Sequence, residues 1–437
     1  MRITNNMMVT STINNINASA NRLNEASERM STELKISLPS DDPVVATKTI
    51  KYRDYVAKIE EYQSNASAAG SWQKTTDDAL SELYDYVAAV KDDISSAVTA
   101  EATTSDWADI KEEVAAYLEG IVQVMNADYG GRYIFGGFSV SEEPYELVER
   151  MATDVSSATY DAGDLSLASD LAAGSYTMTI TESSGTYTFS MTDGTNTYTG
   201  TTASTTGTVE LKTATGEVMA SLTAPTGGFA TGSFTFDATE CVAVKYKGQY
   251  LSTVLADTVD AATMQAMYSG NTYIDGGGDQ SINYDLGYGA DVTVNTEGQD
   301  VVGDSAANLF NTITKLLLAL SADDTTGGMT YQTYDAATDS VTTASIDDID
   351  DLLADIDADI ERLTTAQASL GARMTYVNNV SDRLDNDYTN YTTLLSDTID
   401  VDVAQASIEQ SSAEAVYEAA LAVGAKAISK TLVDYMA

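Results

Sequence analysis

The feature that most constrains this chain is an apolar periodicity that recurs at both of its ends. Near the N-terminus the apolar or small residues of this pattern are Val9, Ile13, Ile16, Ala20, Leu23, Ala26, Met30 and Leu34. Near the C-terminus they are Leu363, Ala366, Leu370, Met374, Val377, Val380, Leu384, Tyr388, Tyr391 and Leu395. Both spacings lie between the ~3.6 residues per turn of a straight helix and the ~3.5 of a supercoiled one. A narrow stripe stabilises a helix only when it is packed, so the pattern predicts that the two ends pair with each other.

Between the helical ends the pattern changes to the period of two that is typical of strands. Tyr176, Met178 and Ile180 alternate with threonines, and Asp193-Gly194 follows a similar run as a hairpin turn. The lone Cys241 lies in a valine- and alanine-rich stretch that predicts a buried strand. The middle of the chain is therefore predicted to be a Thr- and Gly-rich antiparallel β domain.

These patterns predict an α+β multidomain protein. Its N- and C-terminal helices pair in an elongated α-helical coiled-coil stalk, and the β domain is inserted between them. The segments are 1–140 (helical), 141–300 (β domain), 301–344 (a returning helix and loop) and 345–437 (helical). An ordinary helical domain with an inserted β domain stays open as an alternative.

Local signals place further elements. Pro39 ends the first helix, and Asp42 caps a long second helix whose first residue is Pro43. The glycines of 129–138 predict tight turns, and the aromatic residues between them predict a strand. A short β stretch is expected at 282–294, and the last helical region is expected to start near Ser345.

Charge excludes several function classes. The net charge is −44, with only 22 Lys and Arg residues, which argues against binding to nucleic acid or to an anionic membrane. Counted along the sequence, residues 1–140 carry −9, 141–360 carry −29 and 361–437 carry −6. This split indicates a solvated, repulsive middle and ends that are better able to pack on other subunits.

Residues for catalysis or metal binding are scarce. The sequence has no His and one Cys, so neither a catalytic triad nor a zinc site of several cysteines is expected. The aspartates of 346–359 alternate with apolar residues at helical spacing and lack the glycine of a calcium loop, so they predict a solvated helix face. The glycine-rich segment 275–279 is expected to be a turn, and weak cation binding there stays open as the alternative. A carboxylate pair for glycoside hydrolysis stays open, because acidic residues are abundant. We predict no enzyme activity, no cofactor and no metal.

The sequence contains no apolar run long enough to span a membrane, and the first residues lack the apolar core of a signal peptide. Several short motifs, in order at both ends, resemble the flagellin superfamily and, within it, the FlgL-type family of hook-associated protein 3. They are Met1-Arg2-Ile3-Thr4, Ser40-Asp41-Asp42-Pro43, Gly131-Arg132-Tyr133-Ile134-Phe135-Gly136-Gly137, Leu370-Gly371-Ala372-Arg373 and Tyr417-Glu418-Ala419-Ala420-Leu421. The resemblance covers about 1–140 and 345–437.

This resemblance implies a structural protein at the hook–filament junction of the bacterial flagellum, exported by the flagellar type III system to the cell exterior. It also implies the partners: hook-associated protein 1, flagellin, further copies of the same chain and an export chaperone. We predict that partners bind along the helical seams, at Ile13, Ile16, Leu23, Met30, Leu384, Tyr388, Tyr391, Leu395, Ile428 and Leu432. The alternatives are a flagellin filament subunit and a surface adhesin or glycan-binding β domain on a helical stalk.

Overall fold

The computed structural model describes residues 5–98, 104–157, 159–160, 164–251, 280–287, 289–303, 307–321, 329–335, 340–346 and 349–433. The helices are α1 (Asn5–Thr32), α2 (Pro43–Ala97), α3 (Thr104–Met125), α4 (Gly298–Val302), α5 (Leu309–Ala319), α6 (Asp351–Ile399) and α7 (Val403–Val433). The chain divides into two units. The first comprises 1–67, 285–290 and 378–437, and the second comprises 68–284 and 291–377.

Most strands join one antiparallel sheet in the second unit. Its strands are β1 (Tyr145–Ser156), β2 (Leu165–Leu167), β3 (Gly174–Ser183), β4 (Thr186–Thr192), β5 (Thr197–Thr202), β6 (Thr208–Lys212), β7 (Val218–Thr223), β8 (Gly232–Tyr246) and β9 (Gln249–Tyr250). They lie in the order β1-β8-β3-β4-β5-β6-β7-β2, with β9 paired to β8. Two hairpins stand apart from this sheet: β10 (Asn283–Asp285) with β11 (Asp291–Thr293), and β12 (Met329–Asp335) with β13 (Ser340–Ile346).

The large sheet buries one face around an apolar core. Tyr176, Met178 and Ile180 on β3 are almost completely buried, while the intervening threonines are at least partly exposed. Phe189 and Met191 on β4 continue this core, and Phe236 on β8 stacks on Tyr176 with ring centroids 5.5 Å apart. The predicted α+β fold, with terminal helices and a central antiparallel β domain, is confirmed, as are the hairpin turn at Asp193-Gly194 and the buried strand at Cys241.

The β domain begins and ends at one place, where β1 and β8 run side by side. Tyr145 at the start of β1 pairs with Tyr246 at the end of β8, and their rings lie 4.9 Å apart. The Asn126 side chain, just after α3, donates to the Tyr145 carbonyl (2.7 Å) and accepts from its N–H (2.9 Å). Because the first and last strands are neighbours, the whole domain can be inserted into a helical framework through one two-stranded connection.

Three boundary predictions need correction. The first helix ends at Thr32, where Glu33 follows with a positive φ of 58°, and not at Pro39. Residues 129–138 do turn tightly, with Gly130, Gly131 and Gly137 at positive φ, but they form no strand, and the first strand starts at Tyr145. A Cβ on Gly137 would overlap the Gln280 side chain, whose Oε1 accepts the Phe138 N–H (2.9 Å), so Gln280 fixes this turn; Phe135 is buried and Phe138 is 63% exposed. The last helical region starts at Asp351 and not near Ser345, because Ser345 pairs with Thr330 in the β12–β13 hairpin.

An aspartate is partly buried where α2 meets α3. The Trp107 indole N–H of α3 donates to the Ala97 carbonyl of α2 (3.2 Å). Nearby, one carboxylate oxygen of Asp93 is buried and has no hydrogen-bond partner among the described residues. Burial, together with the charges of Glu113 and Asp92, raises the pKa of Asp93 to about 6. The charged form of Asp93 therefore destabilises this contact at neutral pH.

We expect Asp93→Asn to stabilise the folded chain at pH 7.5 and to change its stability little at pH 4. An unfolded aspartate has a pKa of ~3.9, so the native state binds more protons between there and pH 6, and stability falls as pH rises through that window. Because the side chain is partly exposed, we expect the free energy of unfolding to rise by about 1 kcal/mol at pH 7.5, which is less than the full pKa shift would give. Thermal unfolding at both pH values measures it, with the exposed Asp85→Asn as the control. An equal gain at both pH values would contradict the explanation.

Candidate assembly surface

The two ends of the chain meet in the first unit, where α1 lies against α7. Between residues 403 and 426, α7 buries or half-buries one set of side chains, and every other position is exposed. This set, the α7 seam, consists of Ala406, Gln410, Ala413, Tyr417, Ala420 and Gly424. Its alternation of four and three residues is the pattern of a coiled coil. The predicted pairing of the terminal helices is thereby confirmed.

The α1 side of this contact follows the same spacing. Its seam consists of the half-buried residues Val9, Thr12, Ile16, Ser19, Leu23, Ala26 and Met30. The helices approach closely at Gly424, where an added Cβ would lie 2.7 Å from Ile16 Cδ1 and 3.4 Å from Thr12 Cγ2. The larger side chains of α1 therefore fill the space left by the small residues of α7.

A second set of apolar residues on α7 is exposed in the described structure. This outer stripe consists of Ile408, Ala415, Val416, Ala419 and Val423, all exposed. Ile408 is 71% exposed and Val423 is 63% exposed, which are high values for branched apolar side chains. Ile408 and Val416 also form one wall of a groove of about 430 Å³, whose opposite wall contains Arg22 and Arg29 of α1. Glu25 and Glu409 line the same groove, so a single copy offers an apolar surface beside side chains of both charges.

The structure separates the ten predicted partner-binding residues into four groups. Ile16, Leu23 and Met30 lie in the α1 seam, and Ile13 lies outside it, 46% exposed. Leu384 is completely buried within the first unit, and Tyr388, Tyr391 and Leu395 are half-buried there. Ile428 and Leu432 belong to α7, but their side chains fall outside the described residues. The assignment of these ten residues to partner binding stays a prediction.

The α6 members of the set make contacts within their own chain. The Tyr391 ring stacks on Tyr55 of α2 with centroids 5.1 Å apart and lies 6.4 Å from the Tyr52 ring. Nearby, the Gln63 side chain donates to Asp385 (2.7 Å). These residues therefore hold α6 against α2. Tyr55 stays partly exposed, so a neighbouring subunit could contact only the part of its ring that α6 leaves uncovered.

Reasoning from the sequence missed most of the α7 seam. The sequence pattern on this helix includes Ile408, Val416 and Ala420; Ala420 lies in the seam, whereas Ile408 and Val416 lie beside it and are exposed. The residues in contact are mostly alanine and glycine, whose small size lets the helix backbones approach. A repeat of small residues every three or four positions, from Ala406 to Gly424, was the signal that could have found them.

The second unit contains buried charged groups with a structural role. Asp359 is 3% exposed, and one of its oxygens accepts from Arg362 Nη1 (2.6 Å). Burial raises the pKa of Asp359 to about 6, against the opposing effect of Arg362. Asp359 thus departs from the solvated acidic face predicted for 346–359, whereas Ile349, Leu352 and Ile356 are buried as that pattern requires.

Among the described residues there is no cluster of three or more potential metal ligands, and no helix could span a membrane. Residues 275–279, the glycine-rich turn, lie outside the described residues. Burial raises the pKa of the Cys241 thiol to about 12, so the thiolate that would react is disfavoured. Among the described residues, the features that indicate a function are therefore the surfaces of the terminal helices.

Comparison with known families accounts for both ends of the chain. The family model of the bacterial flagellin N-terminal helical region matches residues 3–139, and that of the C-terminal helical region matches 353–436. Together they span just over half of the 437 residues. The chain belongs to the bacterial flagellin family. The part between the two matches contains the β domain, so the family assignment rests on the paired helical ends.

Curated relatives of this flagellin-family chain match in part. A flagellin of Clostridium tyrobutyricum is 25% identical over 189 residues, 41% of this chain and 49% of the relative. Flagellar hook-associated protein 3 of Salmonella typhimurium is 24% identical over 147 residues, 33% of this chain and 46% of the relative. The chain thus spans about half the length of the curated relatives it matches. The predicted resemblance to the flagellin superfamily and to hook-associated protein 3 is confirmed.

Solved structures give a weaker comparison. A protein described as a flagellar hook-associated protein from Vibrio parahaemolyticus has a TM-score of 0.45 at 12% identity, covering 82% of this chain and 100% of that one. FlgL of Xanthomonas campestris has a TM-score of 0.36 at 14% identity, covering 79% and 99%. At these scores the likeness adds no argument. The family and the relatives' names support a structural role in the bacterial flagellum, and these relatives are structural proteins and not enzymes.

Proposed function

We propose that this chain is a structural subunit of the hook–filament junction, which joins the hook-side junction protein to the flagellin filament. One observation carries the proposal. α1 and α7 pair along a coiled-coil seam, while the outer stripe of α7 stays exposed beside the groove that contains Arg22 and Arg29. Burying each large side chain of that stripe is worth roughly 1.5–3 kcal/mol. An exposed surface of this kind favours association with further helices.

In this proposal, assembly depends on non-covalent packing between subunits and involves no chemical reaction. Neighbouring subunits bury the outer stripe, and many such contacts offset the entropy lost when the terminal helices become ordered. The two sides of each contact are different surfaces, so the subunits form a ring or a helical layer and not a closed dimer. The partners in this proposal are hook-associated protein 1 on one side, flagellin on the other and further copies laterally, after export with a chaperone through the flagellar type III system.

The junction role is favoured over that of a filament subunit by two short motifs. Ser40-Asp41-Asp42-Pro43 and the Tyr417–Leu421 sequence are closer to junction proteins, as the resemblance implies. In the structure this first motif has a local purpose: Asp42 Oδ1 accepts the N–H groups of Val44 (2.9 Å) and Val45 (3.1 Å) and caps α2. The proposal keeps four segments, 1–140, 141–300, 301–344 and 345–437.

Deletion of the gene tests the proposal. We expect cells without this chain to make hooks but to release flagellin monomers into the medium, because the filament has no adaptor on which to grow. Electron microscopy of hooks and immunoblotting of the medium measure both effects, with the restored gene as control. Filaments of normal length on the deletion strain would refute the junction role.

A filament subunit is the second candidate, because a relative of equal similarity is a flagellin. Copy number separates the two functions, since a filament needs far more subunits than a junction layer. Quantitative immunoblotting of purified hook–filament assemblies gives the ratio of this chain to the major filament protein. A junction subunit should be a trace component, and a dominant band would favour the filament role.

A further inference from the structure

Charge is divided between two parts of the first unit. Residues 43–58 at the start of α2 carry +3, from Lys48, Lys51, Arg53 and Lys58 against Asp54. Residues 382–402, on α6 and the turn after it, carry −5, from six aspartates and one arginine. In a chain with a net charge of −44, a local excess of positive charge stands out.

The cations of α2 lie on its outer side. Ala46 is buried, and about half a turn away lies an exposed set that we name the basic stripe: Val44, Lys48, Lys51 and Tyr55. Lys48 and Lys51 make no ion pair with any described residue, whereas Lys58 pairs with Asp54 (3.0 Å). Val44 is 65% exposed, so the stripe offers apolar surface as well as charge.

The aspartates of α6 also point outward. Asp382 and Asp397, which define the acidic face, are exposed, and no hydrogen bond or ion pair of their carboxylates occurs within the described residues. They lie across the helix from Leu384 and Ile399, which are buried. Because Lys48, Lys51 and both aspartates lack a described partner, the two charged surfaces of one copy do not neutralise each other.

We propose that the basic stripe of one copy docks on the acidic face of a second copy. Charge complementarity favours a second copy as the partner, because its acidic face is exposed and has the opposite charge to the basic stripe. Most exposed large apolar residues of the described chain also fall in the first unit, and two of them, Val44 and Tyr55, belong to the basic stripe. The contact joins two different surfaces, so it repeats from copy to copy. The inference rests on the proposed function, because it names the lateral contact of that assembly.

A charge swap tests the contact in the purified full chain. One variant carries Lys48→Glu and Lys51→Glu, and the other carries Asp382→Lys and Asp397→Lys. In sedimentation experiments at low salt we expect each variant alone to associate at least about tenfold more weakly than the wild type, and an equimolar mixture of the two to associate again. Wild-type association should weaken about tenfold between 50 and 500 mM NaCl, because salt screens exposed charges.

The control is Lys74→Glu with Lys212→Glu, which makes the same change of net charge in the second unit and should leave association unchanged. Circular dichroism checks that every variant keeps its helix content. A mixture that fails to recover, a wild type whose association ignores salt, or a wild type that stays monomeric would each overturn the inference. A wild type that associates through these surfaces but is absent from hooks would overturn the proposed function and leave the contact standing.

Discussion

Gly424→Leu is expected to abolish assembly of the chain into the flagellum. Gly424 packs against α1, and even a Cβ there would lie 2.7 Å from Ile16 Cδ1. Leucine would force the helices apart over the neighbouring turns and expose the apolar side chains of the α1 seam, at a cost of roughly 1–3 kcal/mol per subunit. Because the contact repeats in every copy, we expect at least a tenfold loss of swimming cells and of hook-bound protein.

The matched control is Gly371→Leu, which introduces the same side chain at another helical glycine. A Cβ at Gly371 would meet nothing within 4 Å, so this variant should assemble normally. Hydrogen exchange of the purified, unassembled chains should show faster exchange in residues 5–32 and 403–426 for Gly424→Leu alone. Normal motility with Gly424→Leu would mean that the α1–α7 seam is not needed for assembly.

Arg373→Met should destabilise the second unit by about 3 kcal/mol. The Arg373 guanidinium donates to the Asn295 carbonyl (2.7 Å) and to Thr296 Oγ1 (2.8 Å), and both residues are almost completely buried. Burial lowers the pKa of Arg373, but its hydrogen bonds tie the segment after β11 to α6. Methionine keeps much of the aliphatic stem and leaves the two acceptors buried without donors, each costing ~1–3 kcal/mol.

Urea unfolding monitored by tryptophan fluorescence measures this loss, since Trp72 belongs to the same unit and is 2% exposed. Arg53→Met is the control, because Arg53 is exposed and has no described ion pair or hydrogen bond. We expect its unfolding midpoint to stay near that of the wild type. A loss below about 0.5 kcal/mol for Arg373→Met would show that water replaces the guanidinium at no cost.

The sequence predicted the helical ends and the β domain well because their periodicities are local. On β3, alternation of Tyr176, Met178 and Ile180 with threonine required one buried face, and the structure buries those three side chains. In α1, the predicted positions Ile16, Leu23 and Met30 lie in the seam. For α7, Ala420 of the sequence pattern lies in the seam, but Ile408 and Val416 stay exposed, because a close helix contact selects alanine and glycine.

Other features depended on contacts between residues far apart in sequence. The loop 129–138 was expected to contain a strand, but Gln280, more than a hundred residues later, accepts the Phe138 N–H and fixes a turn. Arg373 was recognised as part of a motif, but its purpose became visible only with the carbonyl of Asn295 beside it. The adjacency of β1 and β8, strands far apart in sequence, also has no local signal.

By itself the sequence determined which segments are helices or strands, which ends seek a partner, and that the acidic middle is an insertion between them. Those properties follow from the spacing of apolar residues along a single segment, which limits which faces can be buried. Only the tertiary structure decided which face of α7 meets α1, which apolar stripe remains for a neighbour, and where the cations of α2 point. These outcomes depend on how well two surfaces fit together, and the apolar periodicity of one helix gives no information about the shape of the helix it packs against.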